Sequence, residues 1–352
     1  MVPGPAAPMA AAAAASPPQP RPGHMLVLGT GFVGRYVSQR LLAQGWRVSG
    51  TCTSAAKKTE LEMLGMDASV FDATSNRCWF FLLSCSCSFE FYMIAVVYVN
   101  YSLTNLQPLR EATHLLISIP PIPGIGDPLL SSHSDLQTTL SDSNLQWLCY
   151  LSSTSVYGDC GGVWVDEDHT VNPKSESAKL RYAAEKGWLN VIDDLDLSAF
   201  IFRLGGIYGP GRSAVDTIAK SKSLSRSQKL RESKQYTARI HVADIYQAIL
   251  ASMSIRSARR IYNVVDDDPA PRSEVFAFAR SLVERKHPGL IMDSVVPATQ
   301  DRIVAAEKRV CNARLKEELG VRLLHPTYKS GLQSILDSWS VESSFSNRNV
   351  DV

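Results

Sequence analysis

The chain has 352 residues, 45% of them hydrophobic, and a formal net charge of +2 at pH 7. This length is enough for one large domain or two small ones with a hydrophobic core, and the near-neutral charge gives no support for nucleic-acid binding. Seven cysteines and seven histidines are dispersed, without zinc-ligand spacing or the density of a disulfide scaffold. We therefore expect no metal site and a reducing compartment.

The two ends of the chain are predicted to be tails, at residues 1–23 and 341–352. Residues 1–23 are a low-complexity run of alanine and proline, which cannot bury enough apolar surface to become ordered. The run lacks acidic residues, as transit peptides do, but it also lacks their usual arginine and serine. Two alternatives stay open: a plastid transit peptide, or an unstructured extension of a cytoplasmic protein. A secretory signal is not expected, because no long apolar run follows a basic start.

A glycine-rich turn follows the first predicted strand, 25–28, and precedes an amphipathic helix and a second strand, 47–53. Gly29 permits the tight turn, and Gly31 lets the backbone approach a pyrophosphate. Gly34 lets the helix pack closely on the strand, so that backbone N–H groups point at the phosphates. The order strand, turn, helix, strand predicts a dinucleotide site. Its predicted cradle is Gly29, Thr30, Gly31, Phe32, Val33 and Gly34.

The end of the second strand bears on which dinucleotide binds. An acidic residue there would hold the 2′-hydroxyl of NAD. The sequence has instead Thr53, Ser54, Lys57 and Lys58, with no carboxylate among them. NADP or NAD is therefore expected as cofactor, with NADP favoured because hydroxyls and cations suit its 2′-phosphate. The alternative is that the two lysines only begin a solvent-exposed helix. Asp72, at the end of the third strand, is placed to accept from the adenine amine.

Residues 78–99, CWFFLLSCSCSFEFYMIAVVYV, differ from the rest of the chain in being almost wholly apolar. About 20 such residues could span a membrane as a helix. A span here would place the third and fourth strands of one sheet on opposite sides of that membrane, so no membrane contact is expected. The spacing fits neither a helix nor a strand, which disfavours a buried helix or a lid. We predict that residues from about 75 to 103 are an insertion foreign to the fold, such as translated intron sequence.

Strands and helices alternate through the rest of the chain. Strands are predicted at 113–121, 147–158 and 199–212, with a helix before the last of them. Such alternation predicts an α/β fold with a doubly wound parallel sheet. We expect a Rossmann domain over 24–205. A smaller C-terminal α+β lobe, interleaved with the Rossmann sheet, is expected to bind substrate over 206–340.

Six segments in order resemble the short-chain dehydrogenase/reductase superfamily in its extended and atypical branches, usually called NAD-dependent epimerase/dehydratase-like. They are LGTGFVG, SSTSVYG, the P-x-S helix, FRLGGIYGPGR, ARIHVADIYQAI and RIYNVVDDDP. NARLKEELGVRLLHPTY resembles atypical members of plants and bacteria. The resemblance covers most of 24–335 and implies an NAD(P)-binding oxidoreductase or epimerase with a small, nucleotide-linked molecule among its candidate substrates. Ser118 and Ile119 are assigned to the cofactor site. Members often pair through helices, so a homodimer is an alternative to a monomer.

The resemblance also implies a catalytic Ser, Tyr and Lys. The Tyr exchanges a proton with the substrate oxygen while hydride moves to or from the nicotinamide, and the Lys lowers the Tyr pKa from about 10. Ser153 falls on the serine, but the Tyr position holds Ser177 and the Lys position holds Arg181. A serine hydroxyl is far less acidic than a phenol, and arginine does not lose its proton. The usual proton-transfer pair is therefore expected to be absent.

Tyr182 and Lys186 spell Y-x-x-x-K and form an alternative pair. Tyr182 lies five residues beyond the expected position, a rotation of about 500° that leaves it about 140° from the required face. A packing role is the simpler interpretation. By resemblance, Arg212 binds a substrate phosphate or is merely exposed, and Tyr157 lines the pocket or packs in the core. Asp244 is expected to cap a helix.

Two functions stay open from the sequence. One is an enzyme that depends on Ser153, on positioning of the nicotinamide and on a base that the sequence does not identify. The other is a non-catalytic dinucleotide-binding sensor or scaffold. The missing tyrosine favours the sensor, whereas Ser153 and the YGPGR segment favour the enzyme.

Overall fold

The structure is a computed structural model, and it describes residues 22–71, 78–82, 94–98, 106–130, 133–193, 195–219, 236–256, 258–289 and 307–339. Three predictions fall wholly or largely outside these residues. They are the two tails, the adenine contact of Asp72, and most of the insertion at 75–103.

The described strands, in chain order, are β1 (His24–Leu28), β2 (Arg47–Cys52), β3 (Asp67–Val70), β4 (Cys78–Leu82), β5 (Ile94–Tyr98), β6 (His114–Ile117), β7 (Trp147–Ser153), β8 (Trp164–Val165), β9 (Ser198–Leu204), β10 (Gly206–Tyr208), β11 (Arg239–His241), β12 (Arg259–Val264) and β13 (Arg309–Val310). The described helices are α1 (Phe32–Ala43), α2 (Ala55–Met63), α3 (Gln107–Glu111), α4 (His133–Ser141), α5 (Glu176–Val191), α6 (Ala214–Ala219), α7 (Val242–Met253), α8 (Arg272–Lys286), α9 (Ala313–Leu319) and α10 (Tyr328–Asp337).

A seven-stranded sheet forms the centre of the molecule, in the order β3-β2-β1-β6-β7-β9-β12. Each neighbouring pair in it is parallel. The strand order reverses between β1 and β6, which is the topological switch point where doubly wound sheets bind their ligands. The predicted α/β fold with a doubly wound parallel sheet is confirmed.

Helices cover both faces of this sheet. The alternation of side chains along β1 shows the two layers, since Met25 and Val27 belong to one buried cluster and Leu26 and Leu28 to the other. Helices α1, α2, α7 and α9 pack on the first face, and α3, α4 and α5 pack on the second. Strands buried on both faces explain why their sequences are nearly continuous apolar runs.

A smaller lobe follows β9. It contains the parallel pair β10–β11 and a third buried cluster, in which α8 and α10 pack together through Leu282, Leu332 and Ile335. Strand β12 then returns to the edge of the main sheet. The predicted strand at 199–212 is therefore two strands. They separate at Gly205, where a β-carbon would lie 2.8 Å from Cα of Arg239.

The apolar stretch contributes β4 and β5, which pair with each other as an antiparallel hairpin in a sheet of their own. Strand β1 pairs directly with β6, so the main sheet is continuous without the hairpin. Two short strands, rather than the helix or lid that were the alternatives, form the described part of this segment. Its origin as an insertion stays a prediction. Within the described ranges, no helix is long and apolar enough to cross a membrane.

Candidate functional site

The three glycines of the turn after β1 and of the first turn of α1 have three different roles. Gly29 has φ +90°, a left-handed conformation that strains other residues, and a β-carbon there would lie 2.9 Å from Cγ1 of Ile119. A β-carbon on Gly34 would lie 2.3 Å from the backbone oxygen of Gly29, so the helix could not pack this closely with any larger residue. Gly31 has open space around it. The cradle is therefore tightly packed at Gly29 and Gly34 and has open space at Gly31.

The open side of the cradle is the N-terminus of α1. Gly31 is the N-cap residue and no side chain caps the helix there. The N–H of Gly29 donates to Oγ1 of Thr51 (2.9 Å), and the N–H of Thr30 donates to the Thr51 backbone oxygen (3.2 Å), which fixes the turn to β2. The first-turn N–H groups of α1, beginning at Phe32 and Val33, therefore have no partner within the helix. Such a terminus binds anions, and the open space at Gly31 fits the pyrophosphate of a dinucleotide.

Strand β6 ends beside the cradle. The N–H of Ser118 donates to the backbone oxygen of Leu28 at 2.8 Å, and the side chain of Ile119 lies against Gly29. Both residues therefore stand at the carboxyl edge of the sheet, at the switch point. Their assignment to the cofactor site stays a prediction that this position supports.

The residues after β2 begin helix α2. Ser54 is its N-cap, and its hydroxyl accepts from the N–H of Lys57 at 3.3 Å. Thr53, Ser54 and Lys57 are exposed, and Lys58 pairs with Glu62 at 3.6 Å. The expectation that the lysines begin a solvent-exposed helix thus describes their local structure. It leaves Lys57 available at the edge of the predicted adenosine site.

A cavity of about 1000 Å³ lies between the carboxyl end of β7 and the smaller lobe. Ser153 and Ser155 line it on the β7 side, with Ser175 beside them at the start of α5. Opposite them, the walls come from β10, β11, α6, α8 and α10. This volume matches that of pockets that hold a whole small molecule.

The lining of this cavity is rich in positive charge. Arg239 is 9% exposed, and its guanidinium donates to the backbone oxygen of Ala270 at 2.9 Å. Asp216 is the one acidic residue among the described residues that line the cavity, and its carboxylate accepts a hydrogen bond from Ser213. The basic lining residues are Arg212, Arg239, Arg272 and Lys308. Such an excess of cations attracts an anionic ligand.

Arg212 connects the cavity with the cradle. Its side chain is exposed and lines the cavity, and its Cζ lies 5.2 Å from the centre of the Phe32 ring. Phe32 is the first residue of α1 and part of the glycine turn. The cradle and the cationic cavity are therefore neighbouring parts of one cleft.

The predicted catalytic positions separate in the structure. The hydroxyl of Ser153 accepts from the N–H of Ser155 at 3.1 Å, and Ser153 lines the cavity. Ser177 is exposed on the first turn of α5, with its Oγ 3.3 Å from that of Ser175, and it does not line the cavity. Arg181 donates to the backbone oxygen of Leu151 at 3.0 Å, inside the β7–α5 contact. Of the three, only Ser153 faces the cavity.

The alternative pair, Tyr182 and Lys186, lies elsewhere. Tyr182 packs against a buried cluster that includes Val156 and Val165, and Nζ of Lys186 lies 4.5 Å from the centre of its ring. Neither residue lines the cavity. The packing role expected from the helix rotation agrees with this arrangement.

Tyr157 follows the packing alternative, whereas Asp244 differs from its expected capping role. Tyr157 does not line the cavity: it is fully buried, donates to Oδ1 of Asn263 (2.8 Å) and accepts from Arg203 (3.0 Å), because the turn after Ser153 directs it into the core. Asp244 does not cap α7, whose N-cap is His241. Its buried carboxylate instead accepts from the backbone before α10, including the N–H of His325 at 3.2 Å, and burial raises its pKa to about 6.

A buried ion pair supports the end of β7. Glu185 on α5 and Arg203 on β9 are joined by hydrogen bonds of 2.8 and 3.2 Å. Glu185 also accepts from the hydroxyl of Ser152, which is the register partner of Arg203 in the sheet. Burial opposes the charge of Arg203, but the bonds to Glu185 raise its pKa overall. The pair holds the backbone next to Ser153.

Sequence reasoning missed this ion pair and three of the four basic lining residues. An arginine within an otherwise apolar strand is a signal that was available for Arg203 in AFIFRL and for Arg239 in ARIHV. Arg272 and Lys308 stand on surface-like segments far along the chain from Ser153. Nothing in their local sequence points to the cavity.

The strand order and the cradle define a protein of the Rossmann class. The NAD-dependent epimerase/dehydratase family model matches residues 133–264. A solved structure of a functionally unknown conserved protein from Silicibacter pomeroyi DSS is 31% identical, covers 90% of this chain and 98% of its own, and superposes with a TM-score of 0.66. The chain belongs to the NAD-dependent epimerase/dehydratase family, the extended branch of the short-chain dehydrogenase/reductase superfamily, which confirms the resemblance seen in the sequence.

Two further relatives are more distant. Protein YeeZ of Escherichia coli (strain K12) is 25% identical over 240 residues, which are 68% of this chain and 76% of YeeZ. The UDP-glucuronic acid 4-epimerase from Bacillus cereus, solved in complex with NAD, is 16% identical with a TM-score of 0.62, and the match covers 89% of this chain and 96% of the epimerase. At this identity the epimerase shows the shared fold alone.

Proposed function

We propose that this chain is an NAD(P)-dependent oxidoreductase or epimerase that acts on a small, nucleotide-linked anionic substrate. The contact of Arg212 with Phe32 carries the proposal, since it joins the glycine cradle to a cationic cavity of about 1000 Å³. A dinucleotide laid along the α1 N-terminus would reach from the end of β2 toward this cavity. A nucleotide diphosphate would find four basic side chains there.

The dinucleotide supplies or removes a hydride at its nicotinamide when it is bound. The chain's own part is to place the substrate oxygen. Ser153 is the residue at the end of β7 whose hydroxyl would bind that oxygen, and the Glu185–Arg203 pair holds the neighbouring Ser152. Arg212 binds the anionic part of the substrate. The expected preference for NADP rests on Thr53, Ser54 and Lys57, where no carboxylate stands to bind a ribose hydroxyl.

A non-catalytic dinucleotide-binding sensor is the second candidate. It is favoured by the positions of Ser177 and Arg181, neither of which lines the cavity. On this alternative the cavity binds an anionic molecule and reports the redox state of the dinucleotide without converting anything. Both candidates share the cradle and the cavity.

Cofactor binding tests what the two candidates share. NADPH and NADH are titrated into the full chain while nicotinamide fluorescence is followed. Micromolar binding of at least one is expected, and binding of neither would remove both candidates. A Gly31→Ala variant should bind more weakly, because its methyl group enters the space above the α1 N-terminus.

Turnover separates the enzyme from the sensor. UDP-glucose and UDP-glucuronic acid are the first substrates to assay, because structures of this fold were solved with them bound. Ser153→Ala should lower turnover by about 100-fold or more while leaving the NADPH affinity unchanged, since one positioned hydrogen bond in a transition state has about that effect. Ser141→Ala, on the exposed face of α4, is the matched control. Full turnover by Ser153→Ala would refute the role of Ser153.

A further inference from the structure

Arg35 makes an ion pair that crosses from one helix to the next. It is the residue directly after Gly34, and its N–H donates to the backbone oxygen of Gly31 at 2.9 Å, so it stands one turn into α1. Its guanidinium binds the carboxylate of Glu60 on α2. The two side chains are 39% and 43% exposed, which places the pair at the solvent boundary and not in the core.

This pair lies in the groove between α1 and α2. Lys57 and Glu60 are three residues apart, so they share one face of α2, and Glu60 shows that this face is turned toward α1. Residues Thr53 and Ser54, at the open end of the groove, follow β2. The adenosine ribose of a bound dinucleotide lies at this strand end. Arg35 on α1 and Lys57 on α2 are basic residues in the first turns of the two helices that begin at this edge of the sheet.

Two acidic residues of α2 each form an ion pair with a nearby cation. Glu60 engages Arg35, and Glu62 engages Lys58 in a pair one turn apart on the same helix. Within the described ranges Lys57 forms no ion pair. Lys57 can therefore bind an anion in the groove directly, whereas Arg35 must first break its ion pair with Glu60.

We propose that Arg35 is a ligand of the 2′-phosphate of NADP, and that Glu60 competes with this phosphate for Arg35 and so sets the preference between NADP and NAD. The inference rests on the proposed function, since it requires that the cradle binds a dinucleotide. A 2′-phosphate carries more charge than one carboxylate and offers three acceptor oxygens to the planar guanidinium. NAD brings no such group, so Arg35 stays with Glu60 when NAD is bound.

The test uses the adenosine end of the cofactor as well as the whole of it. Titration calorimetry with 2′,5′-ADP and with 5′-AMP measures the phosphate contribution without any turnover, and NADPH and NADH titrations follow. In Glu60→Gln the guanidinium is released, so affinity for 2′,5′-ADP and NADPH should rise about tenfold, the value of one charge-assisted hydrogen bond. Affinity for 5′-AMP and NADH should stay within about twofold.

Two further variants make the assignment specific. Arg35→Gln should lower affinity for 2′,5′-ADP and NADPH by about tenfold, and Glu60→Gln should give no gain when Arg35→Gln is also present. Glu62→Gln removes the same charge from the same helix but releases Lys58, so it should change the NADPH to NADH ratio by less than twofold.

Several results would overturn the proposal. Equal gains for NADH and NADPH in Glu60→Gln would show a general charge effect, and no change in either would show that Arg35 does not reach the phosphate. A gain in Glu62→Gln as large as that in Glu60→Gln would also show a general charge effect. These results leave dinucleotide binding intact. Failure of the unmodified chain to bind NADPH, NADH and 2′,5′-ADP would remove the proposed function as well.

Discussion

Replacing Glu185 with glutamine should destabilise the protein strongly, although the two side chains have nearly the same shape. Glu185 and Arg203 have side chains that are 1% and 3% exposed. The change leaves the guanidinium buried without a counter-charge and turns an acceptor of hydrogen bonds from Arg203 and Ser152 into an amide. Breaking one partner of a buried ion pair costs about 3–5 kcal/mol. With about 2 °C per kcal/mol for a large domain, the melting temperature should fall by about 6–10 °C.

The assay is thermal unfolding by circular dichroism, with urea unfolding at 25 °C to give the free energy. Asp193→Asn is the matched control, because it removes the carboxylate of an exposed pair with Arg259 at 3.0 Å and should cost less than about 1 kcal/mol. Glu185→Gln with Arg203→Met should recover much of the loss, since no unpaired charge is left behind. Unfolding of Glu185→Gln within 1 °C of the unmodified protein would refute this account of the ion pair (a shift that small corresponds to about 0.5 kcal/mol).

Three other changes have defined outcomes. Gly34→Ala should lower the melting temperature and abolish NADPH binding, since its methyl group would lie 2.3 Å from the backbone oxygen of Gly29. Gly31→Ala should keep the melting temperature of the unmodified protein, because the space around Gly31 is open. Equal melting temperatures of the two variants would contradict the packing argument. Burial lowers the pKa of His241 to about 3, so below pH 6.5 the unfolded chain binds a proton at this residue and the folded chain does not. From pH 6 to pH 4 the unmodified protein should therefore lose about 2–3 kcal/mol more stability than His241→Asn, in which the asparagine keeps a capping side chain. Free energies from urea unfolding that fall in parallel with pH for the two proteins would exclude this linkage. A chain without residues 75–103 should fold and bind NADPH, because β4 and β5 pair only with each other among the described strands; an insoluble product would argue that the segment belongs to the fold.

The cradle and the sheet could be predicted because their determinants are local. A strand, three glycines and a helix lie within 20 residues, and each glycine answers to a contact with a near neighbour, such as Gly34 with Gly29. Parallel strands that are buried on both faces can also be recognised in the sequence as apolar runs. What shifted were the ends of elements. The strand predicted to run through residue 158 ends at Ser153, whose hydroxyl caps a short turn and directs Tyr157 inward.

The cavity could not be predicted in the same way, because its charge is assembled by tertiary structure. Arg272 and Lys308 reach the cavity from segments about 36 residues apart, and neither segment carries a local pattern of a binding site. Asp244 is a residue for which the local sequence predicted a role that the tertiary structure does not give it. Its place in the first turn of α7 suggested a cap, but its partners are backbone groups of Leu324 and His325, about 80 residues away. The homodimer and the compartment, plastid or cytoplasm, stay predictions.

Helix α5 is anchored to the sheet by bonds that involve neither of the two replaced catalytic positions' usual side chains, a tyrosine and a lysine. Arg181 is anchored to the backbone of β7, and Glu185, one turn further on, is anchored to Arg203 and Ser152. The helix is therefore fixed to the strand that presents Ser153 by bonds that do not need a tyrosine or a lysine. On the proposed enzyme alternative, proton exchange with solvent would replace transfer from a phenol, and Ser153 would hold the reacting oxygen while hydride moves.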